Sequence, residues 1–159
     1  MEGQEGLPEQ AVQSTMLLAL YGRAKASRAF PEVMHDDAAV QLVAHMDYDF
    51  SQIDRSYASE YTSLCCLVRA KRLDERCAAY VSEHPQGAAV NLGAGLDTTL
   101  NRIGGGSVRR YNVDLPDAMA FRQRFIAPDE GSTDIAKSVF DYSWLDQVDS
   151  PDGSVFVLA

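Results

Sequence analysis

Two glycines and an aspartate carry the clearest chemistry in this chain. Val90-Asn91-Leu92-Gly93-Ala94-Gly95-Leu96-Asp97-Thr98 reads as a short apolar strand, a Gly-x-Gly turn and the start of a helix. Glycine has no Cβ, so the backbone there turns sharply and lets a ligand approach closely. In open α/β sheets such a turn sits beyond the carboxyl end of a strand, where ligands bind. The next acidic residue at a strand end is Asp114, 19 residues after Gly95. A carboxylate at that distance suits a ribose, because it accepts hydrogen bonds from both hydroxyls at once.

The dinucleotide pattern Gly-x-Gly-x-x-Gly is broken, because Thr98 stands at the third position. No Gly-x-x-x-x-Gly-Lys-Ser/Thr phosphate loop occurs either. The spacing therefore points to a ligand with a ribose and no pyrophosphate. S-adenosyl-L-methionine (SAM) is such a ligand, and its cationic sulfonium suits an acidic pocket. Turn glycines without a ligand stay open as an alternative at this level, since fold does not imply function. Asp97 reads as a cap for the helix after the glycines or as a residue that orients the loop.

The elements that must position these residues follow from pattern. Residues 1–13 are polar and read as a flexible tail. A helical region spans 14–86. Its first helix runs Ser14–Arg28 with Ser14 as cap, and a second runs Asp36–Met46. Asp54–Ser82 reads as one long helix or two abutting ones, with apolar or aromatic residues spaced by three and four. An α/β core follows over 87–159. Its strands are Ala88–Leu92, Val108–Val113, Ile135–Phe140 and Val155–Ala159. Helices Thr98–Ile103 and Pro116–Phe125 lie between them, with a turn at Gly104–Gly106. Such alternation predicts an α/β fold with a parallel sheet and helices on its faces.

Composition narrows the function classes. Of 159 residues, 46% are hydrophobic and 23% charged, as in ordinary globular proteins. Fourteen Lys and Arg against 23 Asp and Glu leave a net charge of −9. That balance argues against a nucleic-acid partner and against an anionic membrane surface. The start of the chain lacks the basic and apolar regions of a secretory signal, so the expected compartment is the cytoplasm. Cys65, Cys66 and Cys77 are expected as buried helix thiols in a reducing compartment. His35, His45 and His84 are scattered without metal-ligand spacing, and no metal is expected.

Asn91-Leu92-Gly93-Ala94-Gly95-Leu96-Asp97-Thr98 resembles the glycine motif of the leucine carboxyl methyltransferase family, whose bacterial branch includes polyketide-pathway O-methyltransferases. Tyr111-Asn112-Val113-Asp114-Leu115-Pro116 resembles its second motif, and Ser138 to Leu145 its third. Arg69 and Arg72-Leu73-Asp74 resemble its Arg-rich helix before the first strand. The resemblance spans about Ser14 to Ala159. It implies a Rossmann-like methyltransferase fold with a helical N-terminal extension, and SAM as cofactor. It also implies roles. Gly93, Ala94 and Gly95 would meet the methionine end of SAM by backbone. Asp114, with Leu115, would hold the ribose side. Arg69 would pair with the SAM carboxylate, and Lys25 matches a basic position near the same group. Ser138, Val139 and Asp141 would frame the adenine. Many relatives carry Asp-Leu where this chain has Ser138-Val139, so Ser138 or a backbone carbonyl would replace a carboxylate there.

In that family the fourth strand leads into further strands and a lid. The chain is therefore expected to hold the cofactor half of the site, with a sheet incomplete after the fourth strand. The bare edge of that strand invites pairing, in a homodimer or with a partner chain. The expected function is SAM-dependent O-methylation of a carboxylate or hydroxyl on a small molecule. A non-catalytic SAM-binding module is the alternative, and a nicotinamide-dependent oxidoreductase is disfavoured by the broken glycine pattern. No catalytic base is identified from the sequence.

Overall fold

The structure, a computed structural model, describes residues 11–103 and 108–159. The expected tail up to residue 10 and the Gly104–Gly106 turn lie outside the described residues. The chain divides into two compact units, one ending at Val68 and one starting at Arg69.

The first unit is helical. It contains α1 (Ala11–Ala29), α2 (Asp37–His45), α3 (Ser51–Ser56) and the first turns of α4 (Glu60–Glu83). α1 begins before the expected cap, so Ser14 lies inside the helix. Ala11, Val12 and Gln13 include no helix breaker, and the helix runs through them. The long helical stretch resolves into two helices, with Ser59 between them. Its hydroxyl accepts the Thr62 N–H at 3.1 Å, which restarts the helix as α4.

The anchor of this unit is polar. Asp36 is fully buried and caps α2, accepting the Ala39 N–H at 3.0 Å. Its other oxygen takes the Arg23 Nε–H from α1 at 3.1 Å, and its own N–H reaches Ser27 Oγ at 2.8 Å. This pair fixes α2 against α1, which it packs upon.

The second unit is α/β. It holds the rest of α4, β1 (Ala88–Leu92), α5 (Thr99–Arg102), β2 (Arg109–Asp114) and α6 (Pro116–Gln123). β3 (Ser132–Ala136), a 3-10 helix (Tyr142–Gln147) and β4 (Val155–Leu158) follow. The four strands form one sheet in the order β3-β2-β1-β4, all parallel. Alternate residues of β1 feed two cores, as strand geometry requires. Ala88 and Val90 join Tyr111, Val113, Ile135 and Trp144 on one face. Ala89 joins Cys77 of α4, Leu100, Val108 and Leu158 on the other.

The third strand differs from expectation. It ends at Ala136, and Ser138–Phe140 form a turn instead. The parallel register sets this limit. Asp114, the last residue of β2, pairs with Ala136, and no partner backbone extends further. The cysteines also differ in part. All three lie on α4 as thiols, but only Cys77 is buried, while Cys65 faces outward. Burial, then Asp74 and Asp97, pushes the Cys77 thiol up to about 11. No described helix is long and apolar enough to cross a membrane.

Asp36→Ala strips a buried guanidinium of its carboxylate. Chemical denaturation should show a loss of about 3–5 kcal/mol, while Arg28→Ala, at an exposed position, should cost under about 1 kcal/mol.

Candidate functional site

The carboxyl ends of the four strands carry the expected residues of the second unit side by side. β1 ends at Leu92 and turns at Gly93 (φ 65°) and Gly95 (φ 44°), a backbone region that other L-residues rarely adopt. An added Cβ at Gly93 would meet nothing within 4 Å, so that glycine serves the turn and leaves open space above it. Gly93 is exposed, whereas Ala94 and Gly95 are buried.

The amides of this loop all point into the protein. Gly93 N–H donates to Val113 O at 2.8 Å, and Ala94 N–H to the same carbonyl at 3.3 Å. Gly95 N–H donates to Asp114 Oδ2 at 2.7 Å. A pyrophosphate site works the other way, with loop N–H groups aimed at the anion. The loop from Gly93 to Gly95 thus offers a ligand shape and not anion-binding donors.

Asp114 does double duty at the end of β2. Its second oxygen accepts the N–H of Leu115 at 2.8 Å. Each carboxylate oxygen carries two acceptor sites, so each has one beyond its backbone N–H bond. Leu115 follows, about a third exposed, just before Pro116 opens α6. Asp97 orients the loop and does not cap α5, whose N-cap position is Thr98 without a side-chain capping bond. Its carboxylate accepts the Thr99 N–H at 3.1 Å at the start of α5, and the Asn91 side-chain amide at 2.9 Å. Arg102 of α5 grips Asp74 of α4 with two bonds of 2.7 and 2.9 Å, fixing the helix that follows the loop.

At the β4 end, the Arg69 guanidinium donates to Ala159 O at 2.8 Å, just past the strand. At the β3 end, Ser138 and Val139 form the first turn after the strand. Ser138 Oγ accepts the Phe140 N–H at 3.3 Å, and Val139 O accepts the Trp144 indole N–H at 3.1 Å. Asp141 caps the 3-10 helix through Ser143, whose hydroxyl and N–H bonds hold its carboxyl below the usual range.

A sequence model described as leucine carboxyl methyltransferase matches residues 16–140. The chain belongs to the leucine carboxyl methyltransferase family. It is 33% identical over 138 residues to the tetracenomycin polyketide synthesis O-methyltransferase TcmP of Streptomyces glaucescens, covering 86% of this chain and 50% of that protein. It is 29% identical over 159 residues to the S-adenosyl-L-methionine-dependent methyltransferase dpfgK of Gibberella zeae, covering 92% of this chain and 53% of that protein. The chain thus spans about half the length of these curated relatives. Its parallel sheet is the Rossmann-like methyltransferase fold expected of the family.

Within this family member, Lys25 belongs to the first unit. Its ammonium donates to Asp54 Oδ1 at 2.6 Å and to Ala58 O at 2.7 Å. The hydrogen bonds from Lys25 and then Tyr21 hold the Asp54 carboxyl below its usual range. The buried role of Arg122 is not evident from its sequence neighbours. Phe121-Arg122-Gln123-Arg124 looks like a charged helix end, yet Arg122 is 2% exposed. The signal was periodicity. Ala118, Met119 and Arg122 share the buried face of α6 at helical spacing.

Two outcomes follow for this region. Gly93→Ala meets no clash but must hold a positive φ, so denaturation should show a loss of about 1–2 kcal/mol with the fold kept. Lys25→Met should raise the Asp54 carboxyl toward its ordinary value in an NMR titration. A depressed carboxyl contributes stability above its unfolded pKa and loses it as pH falls through the folded one. The substitution should therefore flatten the acid limb of stability, and an unshifted Asp54 would contradict the pairing.

Proposed function

We propose that this protein is a SAM-dependent methyltransferase that methylates an oxygen, carboxylate or hydroxyl, on a small molecule. The observation that carries the cofactor is the inward aim of the Gly93, Ala94 and Gly95 amides beside an aspartate with acceptor sites to spare. A phosphate-bearing dinucleotide needs those donors, and a sulfonium nucleoside does not. The names of the relatives support the same reading, since one is an O-methyltransferase and another is SAM-dependent.

The sheet edge supplies a ruler for the ligand. Arg69 at β4, the glycine turn at β1, Asp114 at β2 and Ser138-Val139 at β3 are spread over three strand spacings, about 14 Å. An extended SAM lies along this edge. Arg69 faces its carboxylate, Gly93 and Ala94 its methionine chain, Asp114 and Leu115 its ribose, and Ser138, Val139 and Asp141 its adenine side. When bound, SAM supplies a methyl carbon already electrophilic through its sulfonium. The chain's own part is to hold that cofactor in one orientation, which removes the entropy cost of alignment. A carboxylate acceptor needs no base at neutral pH, whereas a hydroxyl does.

Calorimetric titration with SAM and with NADH tests the cofactor. Heat with SAM alone is the expected result, and heat with NADH alone would overturn it. Asp114→Ala should weaken SAM at least ~10-fold and cost about 1–3 kcal/mol of stability, since two N–H groups lose their acceptor. SAM binding without methyl transfer to any oxygen acceptor would favour a non-catalytic binding module.

The β4 edge supports pairing with another strand. Val155 and Val157 lie on the sheet face of Ala88 and Val90, yet are 47% and 51% exposed. A homodimer through this edge predicts a concentration-dependent apparent mass in size-exclusion chromatography. A monomer at every concentration would reject self-pairing.

A further inference from the structure

We propose that Arg122 is a positioning residue that sets the shape of the glycine turn, and through it the grip on the amino-acid end of the cofactor. The proposal rests on the SAM reading above.

Arg122 projects from the buried face of α6 with its side chain 2% exposed. One guanidinium nitrogen donates to two loop carbonyls, Gly95 O at 2.8 Å and Asp97 O at 2.6 Å. Its Nε lies 3.9 Å from Asp134 Oδ1 of β3. Asp134 also receives the Asn112 amide at 3.0 Å and the Gln123 amide at 3.2 Å. Burial lowers the guanidinium from its ordinary value, and the nearby carboxylates of Asp134, Asp97 and Asp114 oppose that fall. The group stays a cation, because arginine starts far above neutral pH.

Gly95 is consequently held at both polar ends. Its N–H goes to a carboxylate and its C=O to a guanidinium. Such charge-assisted bonds are shorter and stronger than neutral ones. They hold a turn that glycine alone leaves pliable, because glycine populates many backbone states. A lysine at 122 keeps the charge but is a point donor on a flexible stem. It lacks the rigid planar group that sets one nitrogen on both carbonyls while Nε faces Asp134. A general packing role would affect every ligand of the site alike. A role in shaping the turn affects the part of the ligand that lies on the turn.

The test compares S-adenosylhomocysteine, which carries the amino-acid chain, with 5′-methylthioadenosine, which lacks it, on wild type and Arg122→Lys. The expected result is a loss of at least ~10-fold for S-adenosylhomocysteine and less than ~2-fold for methylthioadenosine. Equal affinity of wild type and variant for both would overturn the positioning role, as would an equal loss for both. Failure of the wild type to bind S-adenosylhomocysteine would instead refute the SAM reading itself. Should Arg122→Lys not fold, Arg122→Met with Asp134→Asn removes both buried charges together. The same selective loss in that double variant supports the proposal, and undiminished S-adenosylhomocysteine binding overturns it.

Discussion

The backbone of Gly95 is the point on which the glycine turn depends. A carboxylate from β2 takes its N–H and a guanidinium from α6 takes its C=O. Both bonds lie where water is excluded, so neither end can be released without leaving a buried polar group unpaired. The first bond ties the turn after β1 to the end of β2. The second ties it to the helix that packs on β2 and β3. The turn is therefore not a loose loop beyond a sheet. It is a braced part of the sheet's carboxyl edge, preorganised before any ligand arrives.

Preorganisation of this kind decides what the edge can hold. The donors from Gly93 to Gly95 are committed inward, and the space above Gly93 is open. On the proposed reading, what remains on offer is shape, two acceptor sites on Asp114 and a cation at Arg69. Those features match a ligand with a diol, a carboxylate and no phosphate. The same three strand ends in a dinucleotide enzyme would present amides outward. The difference between the two chemistries lies in which way a few N–H groups point.

Much of this was legible in the sequence, and the parts that were not share a cause. β1 matched its expected run residue for residue, because a strand buried on both faces is mostly apolar, here Ala88, Ala89, Val90 and Leu92 around the buried Asn91. The link from Gly95 to Asp114 was legible as a spacing. The β3 boundary was not, because Ser138-Val139-Phe140 is apolar enough for a strand, and only the register with β2 ends the ladder at Ala136. Arg122 was hidden for a related reason. Its charge marks it as a surface residue, and only its tertiary partners, two backbone carbonyls and a carboxylate, make burial tolerable. Asp114 was read as a ligand-binding group, and it is also a structural acceptor for the turn it faces.

We propose that this edge holds a nucleoside by its ribose at Asp114 and without phosphate contacts at the glycine turn. A crystal structure with S-adenosylhomocysteine tests it most directly. Both ribose hydroxyls should lie about 2.6–3.0 Å from the Asp114 carboxylate, with the Gly95 N–H still on Oδ2. A ribose bound elsewhere, or a turn whose amides swing outward to meet the ligand, would contradict it.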